Sequence, residues 1–501
     1  MLLTEKTATF RMNSAAEKTK IGLISLGCPK NLVDSEEMLG ALVETGQAEL
    51  VNDADTADVL VVNTCAFIES AKRESIDTIL DAVRRKNEGK VSRVVVTGCL
   101  AQRYAKELTE EIPEVDAFLG IQSAPQIAGV LFGTSSARRA SGPATLLPMA
   151  GADAATAIAR NRVEPVGDRY PLIPPARVRA TAPWTAYLKV SEGCDHGCTF
   201  CSIPSFRGRH RSKPLESVVE EAKRLVDSGV VEINLIAQDT TAYGMDLYQE
   251  LALPRLLEAL GRVGGLRWVR LLYCYPTMMT ERLIRTMADT PNVAHYADIP
   301  LQHADDGMLK RMKRGGSRAS YLRLFDRMRS AMPDVAIRTT FLVGFPGEDE
   351  PAFENLRTFV EEARFDRVGV FEYSPEEGTP GFDMIPRDPR AEASRRRAAA
   401  RRRRALMAAQ QPISLGINEA LIGSEVDVLV EGRRGELLTA RSWRDAPEID
   451  GLVLVRDAVG STAPGDWLRV RVAAAEPYDL VATPALRSAM PAAELAGAVA
   501  V

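Results

Sequence analysis

Short apolar, β-branched runs alternate with amphipathic stretches along most of the chain. From about residue 21 to residue 128 the runs are 21–26 (IGLISL), 59–62 (VLVV) and 94–96 (VVV), and a helix-like segment follows each. Apolar runs without polar alternation are strands buried on both faces, and the intervening helices return the chain to the same edge. The pattern therefore predicts a small parallel α/β sheet. Residues 133–182 break this rhythm. Ala, Pro, Gly and Ser dominate there without periodicity, so the stretch reads as a flexible linker and a domain boundary.

A longer alternation follows, in which AYLKV, VEINLIAQD, RWVRLLYCYP, HYADIPLQ, AIRTTFLVGFPGE and RVGVFEYSP are separated by helical stretches such as 215–228 and 352–363. Six such units predict a partial (β/α) barrel with its reactive side chains at the carboxyl ends of the strands. The Arg- and Ala-rich run 395–404 reads as a helix whose cations form a solvated face between domains, with a polyanion contact as the alternative. From 411 to 480 the segments EVDVLVEG, GLVLVRDAV and DWLRVRVAAA predict a small β-barrel module. The predicted organisation is a disordered extension (1–19), an α/β domain (20–132), the linker (133–182), the partial barrel (183–410), the small barrel (411–482) and a frayed tail (483–501).

Composition narrows the setting. At 501 residues, 46% hydrophobic and 26% charged, the chain has material for several cored domains. The first 20 residues hold no apolar run, and no later stretch approaches the roughly 18 apolar residues of a membrane span, which predicts a cytoplasmic protein. Sixty-three basic against 67 acidic side chains leave a formal charge of -4, so any polyanion contact must be local. Seven cysteines in a reducing compartment point to metal ligation or catalysis, not to disulfides.

Cys194, Cys198 and Cys201 lie in SEGCDHGCTFCSIP, a C-x3-C-x2-C loop directly after the first strand of the predicted barrel. Three thiolates this close can cap three corners of a cubane 4Fe-4S cluster and leave the fourth iron open. A structural loop or a zinc site is the alternative, although a closed zinc site asks for four ligands. His196 is spaced too tightly to be the fourth ligand and reads as solvated, while Phe200 supplies an aromatic wall against water. Cys28, Cys65 and Cys99 each fall just beyond a predicted strand, 37 and then 34 residues apart. Equivalent ends of parallel strands point to one edge, so these thiols can converge as a second three-thiolate set. Cys274, inside LLYCYP, reads as core.

The C-x3-C-x2-C loop resembles that of the radical S-adenosylmethionine (SAM) superfamily. With three scattered cysteines before it and a β-module after it, the chain resembles the methylthiotransferases, whose last module is a TRAM domain. SLGCPKNLVDSE, VNTCAFIESAKRES, GCLAQRY, EGCDHGCTFCSIPSFRGRHRS and DAPEIDG look like the RimO branch, which modifies an aspartate of the twelfth protein of the small ribosomal subunit. The resemblance implies two 4Fe-4S clusters and two SAM molecules. One SAM donates a methyl group to sulfur at the cluster on Cys28, Cys65 and Cys99. The other, at the cluster on Cys194, Cys198 and Cys201, yields a 5'-deoxyadenosyl radical that takes hydrogen from the aspartate β-carbon. It further implies that Gln238, Asp239, Gln302 and Gly344 line the SAM pocket, and that a low-potential electron donor and a sulfur donor serve the enzyme.

The rival within this chemistry is a transfer RNA methylthiotransferase. From 411 to 480 the seven basic and twelve acidic residues balance to 7 - 12 = -5, and Asp445, Glu448 and Asp450 of DAPEID read as an acidic surface suited to a basic ribosomal protein. A non-enzymatic RNA- or ribosome-binding protein with structural clusters or zinc is a third reading, against which the open-sited cysteine loop argues.

Overall fold

The computed structural model describes residues 18–133, 161–164, 166, 167, 170, 176–456 and 462–485. The first 17 residues of the predicted extension, most of the 133–182 stretch and the tail beyond residue 485 lie outside the described residues. The chain forms two compact units, Met1–Val166 with Pro175–Ala180, and Gly167–Pro174 with Thr181–Val501.

In the first unit, β1 (Thr19–Ser25), β2 (Ala48–Leu50), β3 (Val59–Thr64), β4 (Arg93–Gly98), β5 (Ala117–Leu119) and β6 (Asn161–Arg162) form one parallel sheet in the order β2-β1-β3-β4-β5-β6. Helix α1 (Pro29–Glu44) follows β1 and α2 (Glu69–Asn87) follows β3. Val59 to Val62 are fully buried, as the unbroken apolar run requires. Strand β6 belongs to the stretch read from sequence as linker. So do residues 176–180, which lie along α1: Val178 N donates to Glu36 O at 3.1 Å, and Arg177 pairs with the buried Glu36 carboxylate. Gly40 permits this close pass, because a Cβ there would sit 1.9 Å from Ala176 O. These contacts run through backbone groups, one glycine and one ion pair between residues 141 apart in sequence, which composition does not register.

In the second unit, β7 (Thr185–Lys189) leads into a short antiparallel ribbon of β8 (Ser191–Glu192) and β9 (Arg211–Ser212). Strands β10 (Glu232–Ile236), β11 (Trp268–Leu271), β12 (Val293–Asp298), β13 (Ala336–Val343) and β14 (Arg367–Glu372) then pair in parallel with β7, in the order β14-β13-β12-β11-β10-β7. This is the predicted six-stranded partial barrel. Its core joins the inner strand faces to the flanking helices, among them Leu235, Leu271, Phe341, Leu256, Phe359 and Leu406. A long helix, Pro389–Glu419, runs on to a closed five-stranded barrel of β15 (Glu425–Arg434), β16 (Leu437–Arg441), β17 (Val453–Arg456), β18 (Trp467–Ala475) and β19 (Leu480–Pro484). Valines 426, 428, 430, 453, 455, 470 and 472 fill its interior at alternate positions.

The small barrel is joined to the partial barrel by buried charge. Glu232, the first residue of β10, accepts from Arg270 of β11 at 3.1 Å and from Arg441 of β16 at 2.6 Å. Arg367, which opens β14, meets Asp445 at 2.9 Å, and Arg444 pairs with Asp366. Asp450 accepts from Tyr296 Oη at 2.6 Å and lies 3.4 Å from Arg338. The DAPEID string is thus largely not the acidic surface read from sequence. Its two aspartates are buried counter-ions, and of the three carboxylates only Glu448 faces solvent. The charge balance of the module accordingly loses its weight as an argument about the substrate.

Candidate cysteine-rich sites

Each cysteine of the first unit stands at the carboxyl end of one of three adjacent strands. β1, β3 and β4 are paired with Ser25 opposite Asn63 and Thr64 opposite Gly98, so their ends are level. Cys28 follows β1 and precedes Pro29, the first residue of α1; Cys65 follows Thr64; and Cys99 opens the short helix α3 (Cys99–Arg103). Cys65 and Cys99 are buried and Cys28 is half-buried.

Small and amide side chains lock the three turns together. A Cβ on Gly27 (φ +90°) would lie 2.9 Å from Cys65 Sγ, which places Cys65 against the residue preceding Cys28. Gly98 (φ +94°) leaves no room for a Cβ, which would meet Asn63 Oδ1 at 2.2 Å and Thr64 O at 2.6 Å. Asn31 donates to Leu26 O at 3.0 Å and to Thr64 O at 2.9 Å, and its Oδ1 accepts from the Cys99 thiol at 3.4 Å. Asn63 Nδ2 donates in turn to Asn31 O at 2.8 Å. One buried asparagine therefore touches all three cysteine-bearing turns. Sequence reasoning passed over it, although its place three residues after Cys28 is the available signal.

In the second unit the loop from Cys194 to Cys201 is held at the carboxyl end of β7. Cys194 N donates to Gly208 O at 3.1 Å and Cys201 N to Cys198 O at 3.2 Å. Gly193 (φ +80°) admits the return strand, since a Cβ would lie 2.0 Å from Arg209 O. Burial pushes the Cys194 thiol up to about 11 and the Cys201 thiol up to about 12. Both are protonated at neutral pH without a metal, and iron binding would release those protons. Phe200 packs on the apolar group of Met308, Met312, Phe345 and Tyr373.

His196 is not the solvated side chain read from sequence. Its Nε2 lies 2.6 Å from Asp239 Oδ2, and its ring stacks on Tyr275 with centroids 3.7 Å apart. Asp239 is fixed by accepting from Thr241 N and Oγ1 at 2.9 and 2.5 Å. The Arg314 guanidinium covers the same Tyr275 ring at 3.9 Å and reaches Cys198 Sγ at 3.8 Å. Tyr275 and Arg314 lie 79 and 118 residues from His196, so only the folded barrel brings them to the loop.

The remaining predicted pocket residues lie at strand ends of the same barrel. Gln238, just past β10, donates to Glu192 Oε1 at 2.7 Å, while its own Oε1 is buried without a hydrogen-bond partner. Burial opposes ionisation of Glu192, but Arg207 and Lys189 outweigh it and hold the carboxyl well below its ordinary range. Gln302 has a positive φ of 74° and bridges to Phe341 of β13. Gly344 (φ +77°) lets the long helix pass, for its Cβ would meet Ala399 Cβ at 2.4 Å. Cys274 is buried in the barrel core, where burial raises its pKa well above the usual thiol range.

No three His, Cys, Asp or Glu side chains among the described residues converge tightly enough to hold a single metal ion. Three thiols in one loop and three at level strand ends are the donor type that a three-corner iron-sulfur cluster takes, and the orphaned Gln238 Oε1 offers an acceptor to an ammonium group beside it.

Three family models match in succession: Uncharacterized protein family UPF0004 over residues 20–120, the Radical SAM superfamily over 188–360, and the TRAM domain over 422–484. The chain is 44% identical over 473 residues to the ribosomal protein uS12 methylthiotransferase RimO of Symbiobacterium thermophilum, covering 93% of this chain and 91% of that protein. Against the RimO of Desulforamulus reducens it is 46% identical, with 92% and 98% covered. A solved radical SAM methyltransferase, TsrM from Kitasatospora setae, superposes with a TM-score of 0.51 at 15% identity, covering 74% of each chain, which speaks for the fold. With near-complete coverage at this identity, the chain belongs to the RimO family of radical SAM methylthiotransferases.

Proposed function

We propose that this enzyme adds a methylthio group to the β-carbon of an aspartate in ribosomal protein uS12, using two 4Fe-4S clusters and two SAM molecules. The observation that carries the reading is the pair of three-cysteine sets, one at the level ends of three parallel strands and one in a single loop past β7, in a chain 44–46% identical to RimO relatives. In it Cys28, Cys65 and Cys99 hold one cluster, and Cys194, Cys198 and Cys201 the other. When bound, these groups supply radical hydrogen abstraction and the methylthio unit, chemistry that no side chain can perform on an unactivated C–H bond.

The chain's own residues orient and exclude. Glu192 holds the Gln238 amide and leaves its Oε1 available to accept from the amino group that SAM would bring. Asp239 acts through His196, fixing the cysteine loop and not the substrate. Phe200, Phe345 and Tyr373 form the dry wall beside it, keeping a reactive radical from water. The electron and sulfur donors are separate partners.

The test is anaerobic incubation of the reconstituted enzyme with SAM, a reductant and sulfide, offering uS12 and bulk transfer RNA together, followed by mass spectrometry of both. A methylthio mass gain on an aspartate peptide is the expected result. A gain confined to a nucleoside would replace the substrate and keep the two-cluster chemistry.

A further inference from the structure

The long helix carries a charge pattern that the reaction does not use. Residues 393–418 contain seven arginines and not one Asp or Glu, in a chain whose net charge is -4. Two of the seven turn inward. Arg395 donates to Gly344 O, and Arg402, buried, donates to Glu348 O and pairs with Glu348 at 2.9 Å. Both contacts lie just past β13, so the arginine-rich half of the helix is fastened at the barrel end that carries the cysteine loop.

The opposite face is different. Arg390, Arg397 and Arg404 are exposed, follow one another at intervals of seven residues, and have no ion pair among the described residues. Seven residues are nearly two turns, so the three guanidinium groups share one face at a spacing of about 10 Å along the axis. Arg401 flanks the row and pairs with the exposed Glu350 carboxylate at 3.4 Å. Like charges three and four residues apart, as in Arg397, Arg401 and Arg404, destabilise a helix by a few tenths of a kcal/mol each. A face meant only to be solvated is better built of mixed charges. Arg357 on the neighbouring helix Glu350–Ala363 shows this, tied down by Glu354 and Glu361.

We propose that the row Arg390, Arg397 and Arg404 is a docking surface for the phosphodiester backbone of RNA, and that it seats the enzyme on an assembled ribosomal subunit while the aspartate enters the barrel. This rests on the uS12 reading above. A row of evenly spaced, unneutralised guanidinium groups matches a polyanion of regular repeat, and its partner supplies the counter-charge that the helix lacks. The flanking position beside the reactive end gives the contact a use: it orients the substrate without touching the reacting atoms.

The test compares the wild-type enzyme with the Arg390→Gln/Arg397→Gln/Arg404→Gln variant, checked for an unchanged melting curve, and with the corresponding triple Lys variant. Binding of a fluorescein-labelled 20-nucleotide oligouridylate is followed by anisotropy across a potassium chloride series. Loss of three phosphate contacts should lower the slope of log Kd against log salt by about 2, and the Lys variant should restore most of it. In methylthiolation assays the Gln variant should show a KM for purified small subunits raised roughly tenfold or more, with kcat and the rate on free uS12 unchanged. Wild-type oligonucleotide binding by the Gln variant, or an unchanged KM for subunits, overturns the proposal. If the wild type modifies neither form of uS12 while the salt slope still falls, the substrate reading fails and the RNA contact stands.

Discussion

Six cysteines carry the proposed chemistry, and their neighbours tell the two sets apart. Cys65→Ala removes one corner of the first set without touching the Cys194 loop. It should abolish methylthiolation while 5'-deoxyadenosine is still formed, and Cys198→Ala should abolish both, as followed by chromatography and mass spectrometry. A folded Cys65→Ala enzyme that no longer cleaves SAM would show that the two sites are interdependent. Arg314 is a cation beside the second set, 3.8 Å from Cys198 Sγ. A positive charge there favours the reduced cluster, so Arg314→Gln should lower its midpoint potential. Losing one charge-assisted hydrogen bond corresponds to roughly 60 mV for a one-electron couple. The measurement is an electron paramagnetic resonance redox titration in a Cys28→Ala/Cys65→Ala/Cys99→Ala background, where a single cluster gives the signal. An unmoved potential would assign Arg314 to packing on Tyr275 alone.

Between residue and domain stand the strand ends, where most of the site was legible and some of it was not. Gly98 closes β4 at φ +94° with no space for a Cβ. Gly98→Ala should therefore cost about 2 kcal/mol or more, through backbone strain and the clash with Thr64 O, and should lower the unfolding temperature of the apoprotein. The three scattered cysteines could be grouped from sequence because VLVV and VVV announce buried parallel strands, and parallel strands end on one edge. The C-x3-C-x2-C loop was legible because its three cysteines are local in sequence. His196 was misread because its partners Asp239 and Tyr275 arrive from two later strands, which a lone loop histidine does not advertise. DAPEID was misread for a related reason: a carboxylate's burial depends on whether arginines such as Arg338 and Arg367 face it, and those sit in another domain. The edge strand Asn161–Arg162 is too short to leave a periodic signal.

At the scale of the second unit, the partial barrel and the small barrel behave as one folded body, because their seam is built from buried ion pairs. Burial alone would raise the Glu232 carboxyl, yet Arg441 and Arg270 outweigh it and hold it at about 2, below its ordinary 4.5. A folded-state value below the unfolded one means that the stabilisation is fully present above about pH 4.5 and is lost as pH falls towards about 2. The shift corresponds to roughly 3 kcal/mol, and Glu232→Gln also leaves two guanidinium groups uncompensated, so a loss of about 3–5 kcal/mol is expected at pH 7. Urea denaturation of both proteins from pH 7 down to pH 3 checks the sign: the gap should narrow only below about pH 4.5. A gap that is small at pH 7 would mean that the seam is held by apolar packing.

The two sets of arginines on the long helix share one arithmetic. Arg395 and Arg402 are seven residues apart and face the barrel; Arg390, Arg397 and Arg404 are seven apart and face away. Fastening the first set fixes the angular phase of the second. A single residue inserted between them would rotate the outward row by about 100°, whereas seven would rotate it by only about 20°. The segment from Pro389 to Arg404 is therefore closed to length change except in near-whole turns. A seven-residue insertion tolerated where a single residue is refused would be the mark of a helix that sets direction as well as distance.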